Sequence, residues 1–121
     1  IAAVVVGGTP FTGGKGSDTF AISDSTQGSD IVTDFLQGTD VFDLSAIVIG
    51  AGQTGSTLAQ LEAGGYVDFV TVSTVTGQST DSATTQNTEI RWDADGGGDS
   101  LILIATIEDF VGTIGQADLV L

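Results

Sequence analysis

Residues Gly13 to Ser45 read GGKGSDTFAISDSTQGSDIVTDFLQGTDVFDLS. Within this stretch Gly16-Ser17-Asp18-Thr19-Phe20, Gly28-Ser29-Asp30-Ile31-Val32 and Gly38-Thr39-Asp40-Val41-Phe42 share one pattern, Gly-x-Asp-x-apolar, and Gly13-Gly14 precede the first copy. The spacing reads as a tight turn followed by a short strand. Glycine permits the positive-φ backbone that turns the chain and leaves its carbonyls accessible. The aspartate adds a hard anionic oxygen beside those carbonyls, and the apolar residue turns inward to a core.

Carboxylate and carbonyl oxygens are the ligands that calcium prefers. Gly13 to Ala21, GGKGSDTFA, matches the nonapeptide calcium repeat Gly-Gly-x-Gly-x-Asp-x-apolar-x at every defined position. Candidate ligands are therefore Gly14, Gly16 and Asp18, then Gly28, Asp30 and Asp34, then Gly38, Asp40 and Asp43. Asp34 and Asp43 immediately precede apolar residues, so their carboxylates are only half solvated, a cost that a cation would offset. The competing reading is a series of Gly/Asp turns in an acidic β protein, with these acids exposed.

The segment resembles the end of the repeat array in RTX proteins, in particular the C-terminal domain of serralysin-type metalloproteases and large RTX adhesins. Those families leave their repeats through a phrase that this chain matches at Gly28, Asp30, Asp34-Phe35, Gly38, Asp40 and Asp43-Leu44-Ser45. The resemblance covers about the first third of the chain and weakens towards the last residue. It implies an all-β fold in which a calcium-binding parallel β-roll ends and continues into a sandwich-like antiparallel domain with one short helix. It further implies one C-terminal module over 1–121, with terminal roll coils at 1–45 and, at 46–121, a β cap carrying a C-terminal secretion signal.

Composition bounds the function. Sixteen acids face only Lys15 and Arg91, for a formal charge of −14 over 121 residues. Such an imbalance opposes compaction by self-repulsion unless cations bind, and it disfavours nucleic acid or an anionic membrane as partner. Forty per cent hydrophobic residues with 18 glycines and one proline fit a turn-rich folded β domain. The chain has no cysteine and no histidine. Disulfides and thiolate metal sites are thereby excluded, as are most zinc sites, and so are the common histidine-based nucleophile arrangements. The opening Ile1 to Val6 lacks a charged leader, and the chain is expected to be a piece of something longer. Its apolar runs are too short to span a bilayer as a helix.

Taken in order, Ile1–Val6 reads as a strand. Gly7–Thr12 reads as a decayed repeat or the turn opposite the nonapeptide. Phe20 and Ile22 face inward, and Ile31, Phe35, Val41 and Leu44 are further inward candidates. Ile47–Gly55 suggests a strand and a loop. Ser56–Ala63 is the helix candidate, capped by Ser56 or Thr57 and stopped by Gly64-Gly65. Tyr66–Thr76 is a long strand by its β-branched and aromatic content. Gly77–Asn87 is a polar tip or loop, and Thr88–Asp93 returns as a strand. On it Ile90 and Trp92 share one face, while Arg91 points the other way, where it could pair with an acid on the neighbouring strand. Leu101–Ile107 is a central strand covered on both faces.

Asp93-Ala94-Asp95-Gly96-Gly97-Gly98-Asp99 forms a second constellation. Acids at its first and third positions followed by glycine resemble the start of a calcium loop, without the terminal Glu of an EF-hand. The alternative for Asp93, Asp95 and Asp99 is a Gly-rich hairpin turn. The end, Asp118-Leu119-Val120-Leu121, resembles the acidic-then-hydrophobic terminus of type I-secreted proteins.

The resulting expectation is a non-catalytic calcium-binding module that couples type I secretion to folding outside the cell. Its partners would be the type I secretion apparatus, which the C-terminus would engage, and the N-terminal remainder of the parent. Its location would be extracellular or at a bacterial cell surface. The alternative is a structural surface-layer, filament or adhesin module, in which calcium sets the fold or the contacts with neighbouring copies. An enzymatic role has no cleft or catalytic pattern to support it.

Overall fold

The computed structural model describes residues 2–5, 10–11, 17–22, 30–33, 35–76, 83–108, 110 and 112–121. Among them the chain is mainly β, with two short helices, and no helix is long and apolar enough to cross a membrane. The first strands are β1 (Ala2–Val5), β2 (Pro10–Phe11), β3 (Asp18–Ala21), β4 (Asp30–Val32) and β5 (Val41–Asp43). Helices α1 (Ser45–Gly50) and α2 (Leu58–Ala63) follow. Then come β6 (Val67–Thr76), β7 (Ala83–Trp92), β8 (Ile102–Ile107), a 3-10 turn at Gln116–Asp118 and β9 (Leu119–Val120).

Successive early strands fall in alternate sheets. One sheet has the order β1-β3-β5-β9, and the other β2-β4-β8-β7-β6. In the first, every neighbouring pair is parallel, and in the second so are β2–β4 and β4–β8. The remaining pairs, β8–β7 and β7–β6, are antiparallel. The early parallel stack and the later hairpin thus share a sheet, joined where β4 pairs with β8.

The Gly-x-Asp-x-apolar pattern positions the core. Its apolar residues Phe20, Val32 and Phe42 are each 0% exposed. Parallel register sets Phe20 against Phe42, with ring centroids 5.5 Å apart. Phe35 lies 5.0 Å from Phe42, and Phe110 meets Phe35 edge-on at 5.6 Å, a geometry that suits the ring quadrupoles. Leu44, Ile47, Val48, Leu58, Leu61, Ile90, Trp92, Ile104 and Ile107 complete one continuous apolar cluster.

Several elements differ from the sequence reading, each for a physical reason. Val32 and Phe42, rather than Ile31 and Val41, point inward: alternation from the buried Asp40 selects Phe42, and Val32 is itself fully buried beside the half-buried Ile31. Ser45–Gly50 is helical where a strand was expected. Leu44, Ile47 and Val48 stand at helical i, i+3, i+4 spacing and all three are buried, so core placement outweighs the β preference of the β-branched residues. The expected single helix is therefore accompanied by a second. Pro10–Phe11, in the segment read as a decayed repeat or turn, is a strand beside β4. The polar stretch after Gly77 is shorter than expected as a tip, since β7 begins at Ala83. Strand β8 is central, but Ile102 at its start is 43% exposed, so coverage on both faces is incomplete. Arg91 pairs with Glu89 on its own strand, not with an acid across the ladder, at 2.5 Å. Residues two apart on a strand share a face, which brings those two side chains together.

Helix α2 has the expected boundaries in detail. Thr57 Oγ1 accepts from Gln60 N at 3.2 Å and Gln60 Oε1 accepts from Thr57 N at 2.9 Å, a reciprocal capping box. Leu58 and Leu61 are its buried face, and Gly64 ends it. Its Leu58 amide donates to Gln116 Oε1 at 2.9 Å, which ties the helix to the C-terminal turn.

The last residues are built into the fold. β9 lies along β5, and Leu44 N donates to Val120 O at 2.8 Å. Asp118 is buried, and its Oδ2 accepts from Gln37 Nε2 and from Gly115 N, both at 2.9 Å. Leu119 is 8% exposed and Val120 43%. Leu119→Ala is therefore expected to cost about 2–3 kcal/mol, and Val120→Ala less than about 1 kcal/mol. Denaturant titration of the two variants checks this; equal losses would mean that β9 does not pack one face against the core.

Candidate metal centre

The residues after β7 bring three acids together. Asp93, Asp95 and Asp99 each offer a carboxylate oxygen, all within 4.8 Å of one another, and the group can hold a metal ion. Asp93 is 1% exposed, whereas Asp95 and Asp99 are exposed, so the cluster has a buried floor and a side open to solvent.

Local folding explains the arrangement. Asp93 Oδ1 accepts from Asp95 N at 3.2 Å, and its Oδ2 accepts from Asp99 N at 3.1 Å and Ser100 N at 3.2 Å. One side chain thereby curls the loop back over itself. Gly96, Gly97 and Gly98 all have positive φ, of 77°, 93° and 73°, which glycine alone adopts without strain. The loop also rests on the turn between α2 and β6. Asp93 N donates to Tyr66 O at 2.7 Å, and Gly97 N to Gly64 O at 2.8 Å. A Cβ on Gly65 would stand 2.5 Å from Gly98 N, so this backbone contact requires glycine. Tyr66 in turn packs on Trp92, with centroids 6.0 Å apart, and Trp92 is a core residue as its 1% exposure requires.

Electrostatics set the two main acids apart. The adjoining Asp95 side chain, hydrogen-bonded to Asp93, is the main cause holding Asp93 below the usual carboxylate range. The amides of Ser100, Asp95 and Asp99 act in the same direction, and burial opposes them. Asp95 is pushed above its ordinary value, first by that same bond to Asp93 and then by the charges nearby. Asp93 thus adds stability above the unfolded carboxylate value near about 3.9 and loses it as pH falls through its own lowered value. Asp95 has the opposite sign: it adds stability below about 3.9 and loses it as pH rises through its raised value. The three carboxyl groups are crowded together, and a cation would offset the cost of that crowding.

The first constellation is distributed differently. Asp18 and Asp40 are each 2% exposed and lie side by side on β3 and at the start of β5. Asp40 Oδ1 accepts from Asp18 N at 2.9 Å and Oδ2 from Leu36 N at 2.8 Å. It ties the turn at Gly38, where φ is 86°, to the neighbouring strand. Asp18 Oδ2, by contrast, is buried and, among the described residues, has no hydrogen-bond partner. Asp43 Oδ1 accepts from Ser45 N at 2.9 Å and from Ser45 Oγ at 2.5 Å, and so supports the start of α1. Asp30 lies in β4, and its side chain is outside the described residues, as are Gly14, Gly16, Gly28 and Asp34.

Sequence reasoning found the acids of the later loop but not their support. Gly64-Gly65 was legible only as a helix stop, whereas Gly65 is also where the loop docks. Nothing local marks the Ser100 amide as a bond to Asp93.

Affinity for a divalent cation should fall on acidification while pH is still above the ordinary carboxylate value, because Asp95 takes up its proton early. Cation uptake in that range should release protons, measurable by calorimetry in buffers of different ionisation enthalpy. An affinity unchanged from neutral pH down to about pH 4 would remove these carboxylates as ligands. No family model and no curated protein matches the chain, so the reading of this site rests on its own geometry.

Proposed function

We propose that this chain is a non-catalytic calcium-binding module of an RTX-type secreted protein, folding when it meets calcium outside the cell. The observation that carries the reading is the buried Asp18 Oδ2, which lacks a hydrogen-bond partner among the described residues. A carboxylate oxygen removed from water and left unbonded carries a large desolvation cost. Its position in GGKGSD, a phrase rich in potential carbonyl ligands, supports a hard cation as the missing partner. The alternation of β1 to β5 between two sheets with parallel neighbours supports the terminal coils of a β-roll.

In this reading Asp18, with backbone carbonyls of its turn, would hold one ion, and Asp93, Asp95 and Asp99 another. Calcium would supply positive charge to acids that otherwise repel. At a formal charge of −14 the unliganded chain resists compaction and stays threadable through a type I exporter. Outside, a site half-saturated at one hundredth of the ambient calcium contributes about 2.7 kcal/mol. Two such sites would approach the whole net stability of an ordinary domain, which starts at about 5 kcal/mol. The acidic-aliphatic end would engage the exporter before it is taken up into β9.

Chelator should leave circular dichroism with little β signal, and calcium should restore it. A spectrum and melting temperature indifferent to chelator would mean that the core alone stabilises the fold. The two buried aspartates should separate in thermal melts. Asp18→Asn should keep its calcium-free stability but lose part of the calcium increment. Asp40→Asn should lose about 1–3 kcal/mol with or without calcium, because its carboxylate serves backbone amides. Matching behaviour of the two variants would count against Asp18 as a ligand.

Deleting Asp118 to Leu121 in a type I secretion host tests the export role. Reduced secretion is expected; undiminished secretion with lost stability would leave the segment a plain structural strand.

A further inference from the structure

Helix α2, the base of the β6–β7 hairpin and the residues after β8 enclose a cavity of about 200 Å³, lined by no acid of either constellation. Strand register builds one wall. Phe69 and Thr71, two apart on β6, share a face, and Thr71 stands opposite Thr88 on β7. The pairing of β8 with β7 ends at Thr88↔Ile107, and the chain then passes the cavity as Gly112, Thr113 and Ile114. Glu62, near the end of α2, supplies the remaining side. Thr88 and Ile114 are buried, Phe69 is half-buried, and the other lining residues are exposed, which gives a closed floor and an open rim.

The chemistry of this lining is one-sided. The Glu62 carboxylate accepts hydrogen bonds and, when ionised, donates none. Among the described residues it joins no ion pair, the salt bridge there being Arg91 with Glu89. Its place in the last turn of a helix is also one that disfavours an anion and favours a cation. Thr88 Oγ1 gives its proton to Phe110 O at 3.4 Å, which leaves that oxygen as an acceptor. Phe69 adds an aromatic ring, whose face attracts cations.

We propose that this cavity binds a primary alkylammonium group, with the charged head at Glu62 and the methylene stem between Phe69 and Ile114. A calcium ion fits poorly, because one carboxylate and a few hydroxyls fall short of the six to eight or so oxygens it takes. A polyol requires donors as well as acceptors, and Glu62 and Thr88 supply only the latter. The volume lies below the roughly 300 Å³ at which sites for whole drug-sized ligands begin, and suits a group the size of a lysine side chain. The field of a chain with formal charge −14 draws cations towards it. The open rim admits either a free amine or a lysine side chain of another protein. Nothing in this proposal depends on calcium binding at Asp18 or Asp93.

Titration of the full chain with n-butylammonium in calcium, followed by amide NMR at constant physiological ionic strength, tests it. Saturable shifts are expected at Phe69, Thr71, Thr88 and 112–114. Glu62→Gln should weaken binding about fivefold, the upper end for an exposed ion pair. Phe69→Leu should weaken it about threefold through loss of the ring. Asp68→Asn removes the same charge from the opposite, exposed face of β6 and should leave the affinity unchanged. n-Butanol, with the same stem and no charge, should bind at least about fivefold more weakly than n-butylammonium. Nα-acetyl-lysine methylamide binding as tightly as n-butylammonium supports the proposal with a protein lysine as the source. Its exclusion while n-butylammonium binds supports it with a free amine. Equal binding of butanol and butylammonium overturns the proposal, since the cavity would then be a plain apolar crevice. Equal losses in Glu62→Gln and Asp68→Asn overturn it too, as the mark of diffuse attraction to an acidic surface, and so does the absence of saturable shifts at these residues.

Discussion

A carboxylate taken out of water must be fully bonded, and much of this structure follows from that requirement. Asp40, Asp93 and Asp118 are all buried, and each accepts hydrogen bonds that join segments distant along the chain or close a loop on itself. Asp40 fastens the Gly38 turn to β3, Asp93 draws its glycine-rich loop back on β7, and Asp118 holds the C-terminal turn against Gln37. Low dielectric strengthens these bonds and penalises any oxygen left without one. Asp18 is the exception: among the described residues its buried Oδ2 has no hydrogen-bond partner.

The same economy links the halves of the molecule. The early parallel strands cannot bury their apolar residues alone; β8 and β9, from the end of the chain, each add to one of their sheets. Gln116 completes the start of α2, and Gln37 reaches both Thr113 O and Asp118. Contacts of such sequence separation form late and all together, because loop closure precedes their reward.

The two acid constellations differ in how they meet solvent. The loop of Asp93, Asp95 and Asp99 is built on rigid backbone contacts to Gly64, Gly65 and Tyr66, yet two of its three carboxylates are open to water. Asp18 and Asp40 lie on neighbouring parallel strands, where Asp40 accepts from two backbone amides and Asp18 Oδ2 is left unbonded among the described residues. Ion binding at the first would respond to pH through the raised Asp95, and at the second would act on the stacking of strands.

The mainly β content, the turns and the acids of both constellations were legible in the sequence, because Gly-x-Asp spacing, β-branched runs and a Ser56 or Thr57 helix cap are local signals with local causes. The inward residues of the repeats were legible as a pattern, although Ile31 and Val41 were preferred over Val32 and Phe42 where two apolar residues adjoin. In β5 strand alternation resolves that choice once the buried Asp40 fixes the phase. The helix at Ser45–Gly50 was not legible, since its β-branched residues favour a strand and only burial of Leu44, Ile47 and Val48 together selects the helix. Nor could sequence say that β8 and β9 would return to the early strands, that Gly65 would meet Gly97 and Gly98, or that Asp40 and Asp18 would play different parts despite the same phrase. Those outcomes depend on which distant backbone groups each residue meets, and proximity of that kind is decided by the packing of the whole chain.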